Sequence, residues 1–227
     1  MKMSETWSGD LWLAKDYAIF HGSLGVSTIH AHHAHQLILA QNEPAHVEIG
    51  SDRVRASQIW IESMRSHAIL TPLVSHYSVY AEPHAIDGQL LLKSISTNEI
   101  TMSALNVTMD KLGRKPPLDT RVEHALRQVD LQLEGKISAD KIAKSVHISL
   151  SQLERLFSAQ LGLSVRRLVL WRRLRVALAT TLQGWTLTEA AHAAGFADSA
   201  HLSRTMRSIF GIRADRSLAH MRLRLLN

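Results

Sequence analysis

From residue 11 to residue 82, short apolar runs alternate with breaker clusters; beyond residue 119, apolar positions recur at helical spacing. The first pattern predicts strands at Leu11–Phe20, Gly25–His30, Gln36–Ala40, Ala45–Ile49, Ser57–Ser63 and Thr71–Glu82, runs rich in branched and aromatic residues. His21-Gly22-Ser23, Asn42-Glu43-Pro44 and Gly50-Ser51-Asp52 separate them. Short strands at this spacing indicate a small barrel or a jelly roll. From Asp87 the period lengthens, and Leu90, Leu91 and Ile95, then Ile100, Leu105 and Leu112, fit one or two helices.

Gly113-Arg114-Lys115-Pro116-Pro117 divides the chain, because paired prolines stop a helix and stiffen a connection. The expected organisation is a β domain over 1–113, a linker over 114–120 and a helical domain over 121–227. Its first helix starts at Asp119-Thr120 and runs through Val122, Leu126, Val129 and Leu133 to Gly135. Further helices are expected at Ser138–Ser145, Leu150–Gln160, Val165–Gln183, Thr188–Ala194, Ser199–Phe210 and Ser217–Leu226, with no strand after the linker. The fold class is therefore α+β and multidomain, a small β-barrel followed by an all-α domain.

Inside the helical half, two stretches repeat. Ile142-Ala143, Ile148, Arg155 and Gly162 match Ala190-Ala191, Phe196, Arg204 and Gly211, at an offset of 48 residues before the turn and 49 after it. Each stretch has the layout of a helix-turn-helix, over 138–161 and 187–211. Ala143 and Ala191 are small where two helices cross. His147 and Gly195 sit where the turn requires a left-handed backbone. Ser149 caps one second helix, and Asp198 or Ser199 the other. A plain helical bundle is the competing explanation.

Charge changes that balance. Residues 1–113 carry 7 Lys+Arg against 11 Asp+Glu, whereas 114–227 carry 19 against 9. A helical half at +10 is suited to a polyanion, although a solvated basic face alone would look the same. Zero cysteines exclude disulfides, thiolate metal sites and cysteine nucleophiles. No apolar run reaches 18 residues, and no basic segment with an apolar core opens the chain, so a cytoplasmic protein without a membrane segment is expected.

The helical half resembles the AraC/XylS family of bacterial transcription regulators. The resemblance rests on Ile142-Ala143…Ser149…Leu153-x-Arg155-x-Phe157…Gly162-Leu163-Ser164, on Arg173-Leu174-Arg175…Ala179, and on Ala191…Gly195-Phe196-x-Asp198…Leu202-x-Arg204…Phe210-Gly211-Ile212. It implies two reading helices entering successive major-groove segments, about one helical turn (~34 Å) apart. Leu202 and Met206 stand where the family usually has aromatic residues. By motif position Ser151, Gln152, Glu154 and Arg155 face DNA from the first unit, and Ser199, Ala200, His201, Arg204 and Arg207 from the second. Arginine suits a bidentate contact to guanine, Glu154 could accept from cytosine N4, and Ala200 could touch a thymine methyl. Arg155 and Arg204 could equally hold phosphate, the role expected of Arg172 on the central helix.

Nine of the 14 histidines precede residue 113, four of them in His30-Ala31-His32-His33-Ala34-His35. On a strand His30 and His32 point one way, His33 and His35 the other. Two imidazoles on one face, joined by His67 or His76, could bind a transition metal. Gly25…His30-x-His32-His33-Ala34-x-Gln36-Leu37 resembles the first motif of the cupin-like sensor barrels of such regulators, and Ile59-Trp60-Ile61 leading to His67 the second. Gln36 replaces the glutamate of metal-dependent cupins; Glu62 and Met64 replace a proline and a glycine. His30, His32, His33, Gln36, Trp60 and His67 are thus the candidate effector residues, with His30, His32 and His67 the candidate metal ligands.

The expected function is a DNA-binding transcriptional regulator, not an enzyme, whose barrel senses a small molecule or a metal. No cofactor is expected beyond that metal. Duplex DNA and an effector are the partners, and RNA polymerase and a second copy follow from the resemblance. A metal-dependent cupin enzyme with an appended helical domain is the alternative.

Overall fold

The computed structural model describes residues 7–95, 100–214, 218 and 220–226. Contacts between Cα atoms divide the chain into two compact units, 1–114 with 206–227, and 115–205.

The first unit holds strands β1 (Ser8–Leu13), β2 (Tyr17–Leu24), β3 (His35–Ala40), β4 (Ala45–Ile49), β5 (Asp52–Ala56), β6 (Gln58–Ile61), β7 (His67–Ile69) and β8 (Leu73–Ala81). Their ladders form two sheets, ordered β6-β3-β8-β2-β1 and β5-β4-β7. All these pairs are antiparallel, with Gln36 opposite both Ile61 and Tyr80 and Ile38 opposite both Ile59 and Ser78. Side chains alternate across a strand, so neighbouring residues serve different layers. Tyr17, Ile19, Leu37, Leu39, Val79 and Ala81 join Leu91, Leu105 and Met109 in one core. The last three come from helices α1 (Gly88–Ser94) and α2 (Met102–Lys111), which cover that face of the larger sheet. Phe20, Gln36, Ile38, His76 and Ser78 lie on its other face, and all are buried.

A sixth strand joins the larger sheet from far along the chain. β9 (His220–Leu225) runs parallel to β1, from Ser8 opposite His220 to Leu13 opposite Leu225. The helix expected at Ser217–Leu226 is therefore corrected, although Ser217 itself lies outside the described residues. Met221, Leu223 and Leu225 alternate with Arg222 and Arg224, a period of two that ladder hydrogen bonds to β1 satisfy better than a helix would. Arg222 also pairs with Asp10 at 2.7 Å, and Arg224 lies over the Trp12 ring. Gly25–His30 is likewise not a strand; only His30 makes a β-bridge, to His67.

The second unit is helical: α3 (Thr120–Leu131), α4 (Ala139–Ser145), α5 (Leu150–Leu161), α6 (Val165–Leu182), α7 (Leu187–Ala193) and the start of α8 (Ser199–Phe210). Ser138, Ser149, Ser164 and Thr186 each accept a hydrogen bond from a first-turn N–H, the local chemistry that sets where α4 to α7 begin. Val122, Ala125, Val129, Ile142, Leu153, Phe157, Leu168 and Leu174 are among its buried apolar residues.

Candidate functional site

In the first helix-turn-helix, α4 and α5 meet at a turn whose left-handed residue is His147, φ 56°. Ser149 and Gln152 close a capping box, with Ser149 N–H donating to Gln152 Oε1 at 3.0 Å. Leu153, Phe157 and Leu161 turn inward; Ser151, Gln152 and Arg155 are exposed. Gln152 keeps its amide NH2 for another partner, because its carbonyl oxygen serves the cap. Glu154 differs from expectation. Its Oε2 accepts from the Val165 N–H at 3.3 Å, satisfying a donor of the first turn of α6. That carboxylate is half-buried and drawn away from the outward face, so it supports the fold and not base readout.

In the second unit, α7 opens on a capping box between Thr186 and Glu189, whose hydrogen bonds hold the Glu189 carboxyl below its ordinary range. Ala190 and Ala191 are fully buried. Gly195 takes φ 76°, and a Cβ there would collide with the Leu133 carbonyl oxygen and come within 2.9 Å of Arg173 Nε. Asp198 Oδ1 accepts from His201 N–H at 2.6 Å, which identifies Asp198 as the cap of α8. Ala200, Arg204 and Arg207 are exposed, whereas Ser199 and His201 are half-buried. The His201 ring meets Phe196 edge-on, 5.2 Å between centroids, so it belongs partly to the core.

The central helix separates its arginines by role. Arg166 and Arg167 are exposed. Arg172, expected on phosphate, has a side chain only 13% exposed, with Nε 3.7 Å from Asp130 Oδ1. That ion pair turns it inward, and Arg166 and Arg167 inherit the expectation. Arg173 donates to the Leu133 and Gly135 carbonyls at 3.0 and 2.6 Å, and so binds the end of α3 to α6.

In the β domain, the bridge between His30 and His67 brings three histidines together. Ring centroids lie 4.1 Å apart for His30 and His67, 4.9 Å for His32 and His67, and 5.7 Å for His30 and His32. All three are buried, and one ring nitrogen from each falls within 4.8 Å of the others. Each Nδ1 faces a backbone carbonyl: Thr28 for His30 (2.8 Å), Ala34 for His32 (2.9 Å) and Arg65 for His67 (2.8 Å). A neutral imidazole that donates through Nδ1 carries its lone pair on Nε2. Burial lowers all three; His30 falls to about 3, with the His67 charge adding to the effect, and His32 falls well below its ordinary value. Neutral imidazole is the form that ligates metals, and a carbonyl on the second nitrogen fixes the ring for it. The residues present therefore fit a metal ion. His67 Nε2 makes no hydrogen bond, and His32 Nε2 lies 3.2 Å from Gln36 Oε1.

Gln36 continues inward to Tyr80 OH at 3.1 Å, a residue sequence reasoning missed although its strand places it directly opposite. Trp60 does not share this face. It pairs with Leu37, packs on the helix-covered core and stacks on His35 at 5.0 Å, so it is removed from the candidate effector residues beside the histidines. His33 also points away, with His84 and Glu82. Met64, where a glycine is expected, keeps the left-handed backbone at φ 61°. The Phe210 ring lies 5.8 Å from His32, and Thr28 donates to the Gly211 carbonyl at 3.0 Å, both within the first compact unit.

Comparison with known proteins adds a helix-turn-helix domain family, matched over residues 142–218. A transcriptional regulator of the AraC-type DNA-binding class from Chromobacterium violaceum is 32% identical, over 41% of this chain and 85% of that one, with a TM-score of 0.40. An apo ToxT variant from Vibrio cholerae matches 88% of this chain and 96% of its own at 11% identity and TM-score 0.60. Wild-type ToxT with a bound unsaturated fatty acid, from the same organism, covers 88% and 93% at 9% identity and 0.57. At those identities the ToxT likeness concerns the fold, a β-sheet domain followed by a helical helix-turn-helix region. No curated protein sequence matches the chain significantly. Among the described residues no helix is long and apolar enough to cross a membrane.

Proposed function

The chain belongs to the AraC-type family of DNA-binding transcriptional regulators, a family without enzymatic activity, and from that premise we propose that it reads duplex DNA through α5 and α8 and senses a ligand through its β domain. The observation that carries the reading is the matched pair of exposed arginines, Arg155 and Arg204, one on each second helix. Ser151, Gln152 and Arg155 face bases from α5; Ala200 and Arg204 do so from α8, with Ser199 and Arg207 at the margins. Arg166 and Arg167 hold phosphate, which positions the reading helices without specifying sequence.

For the β domain the ligand we propose is a divalent transition-metal ion. His30, His32 and His67 would hold it through Nε2, and Gln36 would give up its contact with His32. Three neutral imidazoles supply borderline ligands suited to zinc, iron or copper. An ion there shifts DNA binding only if it binds DNA-competent and incompetent arrangements of the chain with different affinity. Exposed Leu90 on α1 and Val107 on α2 support a homodimer through these helices, and RNA polymerase is the further partner of an operator-bound regulator.

Selection of bound fragments from random DNA by the full chain tests the reading, run without ligand, with Zn2+ and with an unsaturated fatty acid. We expect a motif spanning two major-groove segments whose recovery changes with Zn2+. Equal affinity for unrelated duplexes, with a steep salt dependence only, would overturn specific regulation. A response to the fatty acid but not to Zn2+ would overturn the metal as ligand.

A further inference from the structure

Beyond the three-histidine cluster, we infer that His33, Glu82 and His84 form a second site for a first-row divalent metal ion. One ligand atom from each residue lies within 4.8 Å of the other two. His84 Nδ1 is 3.6 Å from Glu82 Oε2, and the His33 and His84 rings are nearly parallel at 5.9 Å. Zinc bonds of about 2.0–2.1 Å to nitrogen put tetrahedral neighbours about 3.4 Å apart. The separations here, up to 4.8 Å, are longer, so side-chain rotation has to close the set around an ion.

The fold brings these residues together from a long sequence separation. His35 opposes Ala81 in the β3–β8 ladder, so the antiparallel strands carry His33 and Glu82 out past the same end. The turn that follows is held by the Glu82 carbonyl, which accepts from the Ala85 and Ile86 N–H groups at 3.0 Å each. Glu82 N–H donates to the Asp16 carbonyl at 2.9 Å, and Pro83 restricts the backbone between the two ligands. The Ser63 hydroxyl donates to the His33 carbonyl. The backbone of the site is thus fixed before any ion arrives.

Chemistry selects the ligand class. His33 and Glu82 are 2% and 1% exposed. Two imidazoles with one carboxylate match first-row divalent ions better than calcium or magnesium. The set leaves coordination positions open, as ligand-accepting metal sites do. It is separate from the three-histidine cluster, because consecutive His32 and His33 turn to different neighbours.

The test uses the full chain dialysed against Zn2+, with metal quantified per chain and affinity read by competition with a chromophoric chelator. In a His30→Gln/His67→Gln background, which disables the first cluster, one zinc per chain is expected to persist. Adding His84→Asn should weaken that zinc by at least tenfold; Glu82→Gln should do the same. A folded double variant that binds no zinc, or a zinc unaffected by His84→Asn, would overturn the second site. A double variant that keeps the full zinc stoichiometry of the unsubstituted chain would overturn the first cluster and not the second, so the two assignments fail separately.

Discussion

The first helix-turn-helix turns on His147, exposed and left-handed at φ 56°. The second turns on Gly195 at φ 76°, pressed against the Leu133 carbonyl and the Arg173 guanidinium. The same backbone shape is therefore demanded for two reasons in one unit and for one in the other. At position 147 only dihedral preference favours glycine, and histidine bears that at modest cost. At position 195 the space a side chain needs is already occupied by the end of α3. A similar division runs through the polar residues. Glu154 of the first unit is tied to α6, whereas the second unit anchors through Arg173, which reaches the α3 carbonyls beside its turn.

The sharpest way to break this contrast is Gly195→Ala. Left-handed strain of about 1–2 kcal/mol adds to a backbone collision, for a total loss of about 3 kcal/mol or more in urea unfolding. A loss below about 1 kcal/mol would show that the turn is free to move. Next come the reading positions. Arg155→Ala and Arg204→Ala should each weaken specific DNA binding by about 1–3 kcal/mol while leaving unfolding midpoints unchanged. Equal loss on specific and random duplexes in gel shifts would assign that arginine to phosphate. Asp198→Ala removes the cap of α8 and should cost about 1 kcal/mol of stability. Thermal unfolding checks it, and an unchanged midpoint would move the cap to another residue. Smallest is His147→Gly, expected to change stability by at most about 0.5 kcal/mol, since relieved strain is offset by added freedom in the unfolded chain. A loss above about 1 kcal/mol would reveal a contact made by the His147 side chain.

The helical half was legible because its signals are local. Serine and threonine caps, glycine or histidine at the turns and apolar spacing all act within a few residues, and the repeat doubles each signal. The helices α5 and α8 and the exposure of Arg155 and Arg204 followed directly. What escaped depends on distant partners. Glu154 resembles a base reader until Val165 is folded beside it, and Arg172 resembles a phosphate ligand until Asp130 approaches. Short strands escaped for a different reason: β7 is three residues long, and β5 alternates charge around a single valine. The alternation in β9 was visible, yet Met-Arg-Leu-Arg-Leu also fits a short helix, and only pairing with β1 decides between them. For Trp60, strand parity was the usable clue, since its neighbours Ile59 and Ile61 occupy the other face. Glu82 and His84 carried no local sign, because their partner His33 is reached only through the β3–β8 ladder.

Parallel pairing of β1 with β9 has a consequence for the order in which the chain is made. Strand β1 leaves the ribosome 212 residues ahead of its outer neighbour. Until then β1 is an open sheet edge, with its row of backbone donors and acceptors available to other chains. The helical repeats, whose contacts are local, have no such wait. During synthesis the helical half can therefore fold while the larger sheet of the β half is still one strand short.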